Sequence, residues 1–164
     1  MYTLFHINLY KLKHQNKKMK SVYFAHPVNV YNTPLETKII EALSLVFPKS
    51  EDWNIENPNQ PHHQEGYKTW KKEKNNGMLY YFEDVLPKMS AGIGLTFPDG
   101  MFGRGVAGEL NFLISSGKPC WEMSHFGAIM PLIIVPQERI LSIEDTKQRI
   151  YIDGDFSKGI KPYL

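Results

Sequence analysis

The 164-residue chain has a single cysteine, Cys120. That excludes an internal disulfide framework and any multi-cysteine zinc site. Cys120 stands in a short apolar run and reads as a buried, inert thiol rather than a nucleophile. No apolar run approaches the length of a membrane span. A secretory signal is missing too: residues 1–18 run from apolar to Lys-rich, the reverse of a signal's order. Those residues lack acids and hold Lys11, Lys13, Lys17 and Lys18, four of the chain's 19 basic residues. The rest of the chain carries 15 basic against 17 acidic residues. It therefore offers no basic face for a nucleic-acid polymer. Residues 1–18 are expected to be a leader outside the fold, with Met19 the native start. A weak amphipathic membrane-surface helix is the alternative. Residues 19–164 are expected to form a single domain, cytoplasmic and with no membrane partner.

What is present is an alternation of strand and helix signals. Ser21–Ala25 (SVYFA) is a short apolar run closed by His26-Pro27, which reads as a buried strand. Thr33-Pro34-Leu35-Glu36 has the form of a capping box with proline at the first helical position. Leu35, Ile39, Leu43 and Val46 follow at helical spacing until Pro48. Trp53–Glu56 predicts a short second strand, Asn57–His63 a turn-rich loop, and Tyr67–Lys74 a polar helix. Met78, Tyr81, Phe82, Val85 and Leu86 predict another helix. Gly92–Phe97 (GIGLTF) reads as the third strand, its glycines marking close packing against a neighbour. Val106–Ser116 reads as a helix stopped by Gly117. Lys118–Trp121 and Leu132–Val135 complete the strands, and Ser142–Asp145 opens a last helix. The tail from Tyr151 has no period. This alternation predicts an α/β fold: a flavodoxin/Rossmann-like three-layer sandwich with a five-stranded, mainly parallel sheet. With strand order 2-1-3-4-5, ligands bind where the order reverses, past the ends of the first and third strands. Those ends are followed by His26–Asn29 and Pro98–Gly105.

Gly103, Gly105 and Gly108 spell G-x-G-x-x-G, and Glu122 follows Gly103 by nineteen residues. That pattern matches a dinucleotide-binding fingerprint. Three features oppose it. The first glycine comes several residues after its strand. The loop follows the third strand, whereas the fingerprint uses the first βα turn. The residue after the last glycine is Glu109, an anion where a pyrophosphate would meet the helix. A carboxylate at a helix N-terminus is favoured in its ionised form. It suits attack on, or stabilisation of, a sugar carbon becoming cationic. A surface residue complementing the helix dipole is the plainer alternative from the local sequence.

The chain also resembles the nucleoside 2-deoxyribosyltransferase-like family, which includes nucleoside and nucleotide N-glycosidases. Val22-Tyr23-Phe24-Ala25 resembles the family's opening strand, with His26 where glycine is usual. Asp84 precedes Ala91-Gly92-Ile93 by the family's spacing for a helper aspartate. Gly105-Val106-Ala107-Gly108-Glu109-Leu110, followed by Gly117-Lys118-Pro119, resembles the segment that carries the family's nucleophile. The resemblance implies attack by Glu109 on C1′ of a nucleoside or nucleotide, with water or a second base taking the sugar. It implies that Asp84 orients Glu109 or moves a proton, and that Tyr23 positions the glutamate or sugar. The expected substrate pocket is His26, Pro27, Asp99, Gly103, Arg104 and Gly105, with His26, a departure from the family, either contacting a phosphate or narrowing the pocket. Asp99 stands a few residues from the family's base-contacting acid, and Arg104 is either a 5′-phosphate contact or a solvated side chain. No metal or organic cofactor is implied, and a homo-oligomer is. A nucleotide-sensing module of the same fold, without turnover, is the alternative function. His62 and His63 are expected to be exposed loop histidines, since adjacent histidines diverge and cannot readily share a metal. Trp53, Trp70 and Trp121 are expected to pack rather than stack on a base.

Overall fold

The computed structural model describes residues 18–163. The leader expected over residues 1–18 lies outside them, apart from Lys18. Five strands form one sheet: β1 (Lys20–Ala25), β2 (Trp53–Glu56), β3 (Ala91–Leu95), β4 (Cys120–Met123) and β5 (Ile129–Pro131). Their order is β2-β1-β3-β4-β5. The first four are parallel, and β5 runs antiparallel to β4. The sheet is thus the expected flavodoxin-like one, with an antiparallel edge.

Alternation along the strands separates two cores. Tyr23 and Ala25 face one side of β1, and Val22 and Phe24 the other. On the first side lie α2 (Pro61–Lys74), α3 (Met78–Tyr80) and α4 (Arg104–Ser115). On the second lie α1 (Pro34–Val46) and α5 (Ile143–Ile150). The glycines of β3 are required by α4. A Cβ on Gly92 would come 2.5 Å from Leu113 Cδ1, and one on Gly94 would overlap Leu110. This close approach places the first turns of α4 beside the carboxyl end of β3.

Several local expectations are corrected. Helix α2 starts at Pro61, not Tyr67, because proline fits the first helical position and ends the turn-rich stretch three residues early. His62 and His63 therefore lie in a helix rather than a loop. The predicted helix after Met78 is composite: α3 passes into a π turn (Tyr81–Val85) and then a 3-10 turn (Leu86–Lys88). Leu132–Val135 is not a strand. Leu132 and Val135 are buried while Ile133 and Ile134 are exposed, and the pairing partner of β4 is the preceding Ile129–Pro131. The capping box forms only in part. Thr33 Oγ1 accepts from the Glu36 amide, but the Glu36 carboxylate accepts from the Asn32 amide instead of that of Thr33.

Cys120 is buried, and burial pushes its thiol up to about 11, which keeps it unreactive. Trp53 and Trp121 pack edge-on against Phe47, as expected of packing residues. No helix among the described residues is long and apolar enough to cross a membrane.

Candidate functional site

A cavity of about 650 Å³ opens at the carboxyl ends of β1 and β3, where the strand order reverses. The loop after β1 supplies His26, Pro27 and Val28, and the segment after β3 supplies Phe97, Gly103 and Gly105. Glu109 lies in its wall. Its neighbour is Tyr23, wholly buried on β1, whose hydroxyl donates to Glu109 Oε1 at 2.9 Å. The resemblance pairs these two residues, and the fold brings them together across 86 positions.

The electrostatics of Glu109 differ from the sequence expectation. Helix α4 starts at Arg104, so Glu109 sits in its second turn. The favourable field of a helix N-terminus has faded there. Burial dominates instead. Glu109 is 8% exposed, and desolvation raises its carboxyl to about 7 despite the Tyr23 hydrogen bond. At neutral pH the group is therefore divided between carboxylate and acid. Tyr31 and Tyr81 also line the cavity, and both hydroxyls are pushed up, first by burial and then by the Glu109 charge. Three tyrosines thus surround the carboxyl group.

The glycines do not make a phosphate loop. Gly103 is the residue before α4, with ordinary extended dihedrals, and Gly105 and Gly108 lie inside the helix. A Cβ on Gly105 would meet nothing within 4 Å, so this residue leaves space open at the cavity wall. One on Gly103 would press on Phe97 at 3.2 Å. Glu122, the acid of the apparent fingerprint, is held by Arg139 Nη1 at 2.7 Å on β4.

His26 lines the cavity, but both its ring nitrogens are engaged. Nδ1 lies 2.9 Å from the Phe24 carbonyl and Nε2 lies 3.1 Å from Glu36 Oε1. Both partners carry acceptor oxygens, and each ring nitrogen is occupied by one of them. No ring nitrogen is left for a phosphate, and the ring serves to narrow the wall. Glu36 is the hub beneath it. Burial works against its charge, but hydrogen bonds from His26, the Asn32 amide, Asn57 and Asn59 bring its carboxyl down to about 2. The sequence offered Glu36 only as a capping residue.

Three of the expected residues do not join the group. Asp84 is 47% exposed and pairs with Lys88 Nζ at 2.7 Å. In an α-helix it would share a face with Tyr81, three residues earlier. It lies instead in the π turn Tyr81–Val85, half-exposed. Asp99 binds Arg149 Nη1 at 2.5 Å and the Met101 amide at 3.2 Å. Although burial opposes it, Arg149 holds the Asp99 carboxyl below its usual range. Arg104 is exposed, and its amide donates to Thr146 Oγ1 at 2.9 Å.

Other residues come to the cavity unannounced. Gln64, Tyr67, Lys68 and Lys71 line it from α2. Their spacing of three, one and three places them on one helical face, a signal legible in the sequence but unread because the helix is polar throughout. Lys68 and Lys71 are exposed, so they put two cations at the rim. Ile150, Tyr151 and Phe156 close the other side, from the end of α5 and the tail without a period. Comparison with family models, curated proteins and solved structures finds no match to this chain.

Proposed function

We propose that the protein cleaves or transfers the N-glycosidic bond of a nucleoside or nucleotide, with Glu109 as nucleophile. The observation that carries this reading is a buried carboxyl group in the wall of the cavity, hydrogen-bonded by a buried tyrosine. Perturbed carboxyl groups of this kind concentrate at reacting centres. In the proposed reaction the Glu109 carboxylate adds to C1′ as the bond to the base breaks. The electron pair leaves with the base, which gains a proton, and a glycosyl ester remains on Glu109. Water or a second base then attacks C1′ and regenerates the carboxylate. Tyr23 fixes the carboxyl rotamer throughout. Asp84 is assigned no proton-transfer role, because it pairs with Lys88 at the surface. The hydroxyls around Glu109 that line the cavity, those of Tyr31 and Tyr81, are the groups placed to bind the sugar or base. Lys68 and Lys71 favour a substrate carrying an anionic group, such as a 5′-phosphate.

A homo-oligomer belongs to the same proposal. What supports it is the apolar exposure around β5, where Phe126 and Ile133 are each 87% exposed.

The test is incubation with a panel of ribo- and deoxyribonucleosides and their 5′-monophosphates, followed by assay for free base. A parallel reaction with an acceptor base separates transfer from hydrolysis. Release of base by the wild type, abolished in Glu109→Ala, is expected. Base release that survives Glu109→Ala refutes the mechanism. Tight nucleotide binding without turnover would instead make the chain a sensing module.

A further inference from the structure

The strongest unassigned cluster lies where the end of β2 meets the first turn of α2. Among the described residues, Glu56, His62 and His63 each offer one ligand atom, and these atoms all lie within 4.8 Å of one another. Adjacent helical histidines ordinarily diverge, which is why the sequence argues against a shared ion. Here both rings turn toward the same carboxylate oxygen. His63 Nε2 lies 2.6 Å and His62 Nε2 3.6 Å from Glu56 Oε1. The two rings are 4.0 Å apart between centroids and tilted by 41°. His63 was expected to be exposed but is buried.

We propose that Glu56, His62 and His63 form a binding site for a divalent transition-metal ion, zinc foremost. Two imidazoles and one carboxylate suit zinc, cobalt or nickel rather than magnesium or calcium, which prefer oxygen ligands throughout. Tetrahedral zinc with bonds near 2.1 Å needs ligand atoms roughly 3.4 Å apart. The His62–Glu56 separation of 3.6 Å already meets that requirement. The His63–Glu56 pair sits at a hydrogen-bond distance of 2.6 Å. An ion replacing the shared proton opens it by less than about 1 Å, within reach of a glutamate side chain.

The surroundings support the same use. Tyr80 Oη lies 2.9 Å from His63 Nδ1. A hydroxyl can accept from Nδ1–H, which fixes the ring and leaves the Nε2 lone pair for the ion. Asn54 Nδ2 donates to the other Glu56 oxygen, Oε2, at 3.4 Å, which helps to orient the carboxylate and leaves Oε1 toward the histidines. His62 is 59% exposed, which gives an ion a route of entry and leaves a coordination position for water. The site fastens the end of β2 to the start of α2, whose next two turns carry Gln64, Tyr67, Lys68 and Lys71. Its test is independent of whether Glu109 is a nucleophile.

Full-length protein, stripped with a chelator, is titrated with zinc chloride in a calorimeter near pH 7.5. One equivalent is expected to bind with a Kd in the micromolar range or tighter, accompanied by a rise in Tm. Glu56→Gln and His62→Ala should each weaken binding at least tenfold and remove the rise in Tm. His62 is largely solvent-exposed, so its replacement leaves the core intact. His125→Ala, in the turn before β5, should leave binding unchanged. No binding by the wild type overturns the proposal. So does binding that is insensitive to both Glu56→Gln and His62→Ala.

Discussion

The attack proposed for Glu109 calls for a carboxylate inside the protein, which should destabilise the fold, and Glu109→Gln measures by how much. Burial moves the Glu109 carboxyl from 4.5 to about 7. The folded state therefore holds a proton that the unfolded chain releases at lower pH. Between these two values the folded protein binds more protons, so stability falls as pH rises. The loss begins near 4.5 and is complete just above 7. At about 1.36 kcal/mol per unit, the full loss is roughly 3 kcal/mol. Glutamine keeps the shape and an oxygen to accept from Tyr23 Oη, but cannot ionise. At pH 4 the variant should match the wild type or fall slightly below it, since the amide hydrogens lack the partner that a carboxyl proton needs less. At pH 8 the variant should be more stable, by up to about 3 kcal/mol less the cost of those amide hydrogens. Urea denaturation of both proteins at pH 4, 6 and 8 reads the difference directly. If the gap between variant and wild type does not change with pH, Glu109 is not a desolvated carboxyl group. The account of the site then fails whatever the activity assay shows.

Two kinetic predictions follow from the same geometry. If Glu109 attacks as a carboxylate, base release under kcat/KM conditions should rise with pH through about 7 and level off above it. Tyr23→Phe removes the hydrogen bond that favours the charged form, so the inflection should move to higher pH and the rate at pH 7 should fall by about tenfold. A rate that falls through 7 would make Glu109 a general acid instead. Lys68→Ala and Lys71→Ala, read separately and together, should raise KM for 5′-monophosphates by about tenfold while leaving the unphosphorylated nucleosides unchanged. Equal losses for both substrate classes would remove the anion-binding role of α2.

The course of the chain through the four parallel strands was legible because its signals are local and agree with one another, whereas the short antiparallel edge β5 was expected a few residues too late. Thr33 and Pro34 start α1 where the cap pattern puts them. The alternation of Gly92, Ile93, Gly94 and Leu95 marks a strand with a helix pressed on one face, and α4 is that helix. The position of the cavity followed from topology alone, because reversal of strand order fixes where the carboxyl ends splay apart. Side-chain roles at a distance were another matter. Glu36 satisfies a local pattern, yet its carboxylate serves His26, Asn57 and Asn59 across as many as 23 positions. Asp84 has the right spacing, but spacing assumes an α-helix and the chain winds through a π turn. Composition also misled where the polar helix α2 gave no reason to look at Lys68 and Lys71. Glu109 shows the same limit within one residue. Its place on α4 was evident, and its charge state was not, since a helix start argues for the ionised form and burial argues against it. The larger effect wins. The helix field is worth about 0.3–1 kcal/mol and only in the first turn. The net effect of burial on Glu109, after the Tyr23 hydrogen bond has offset part of it, amounts to roughly 3 kcal/mol. A carboxyl group kept at that cost, on the wall of a cavity at the switch point, is what the proposed attack on C1′ requires, and it is why Glu109 is the residue to test first.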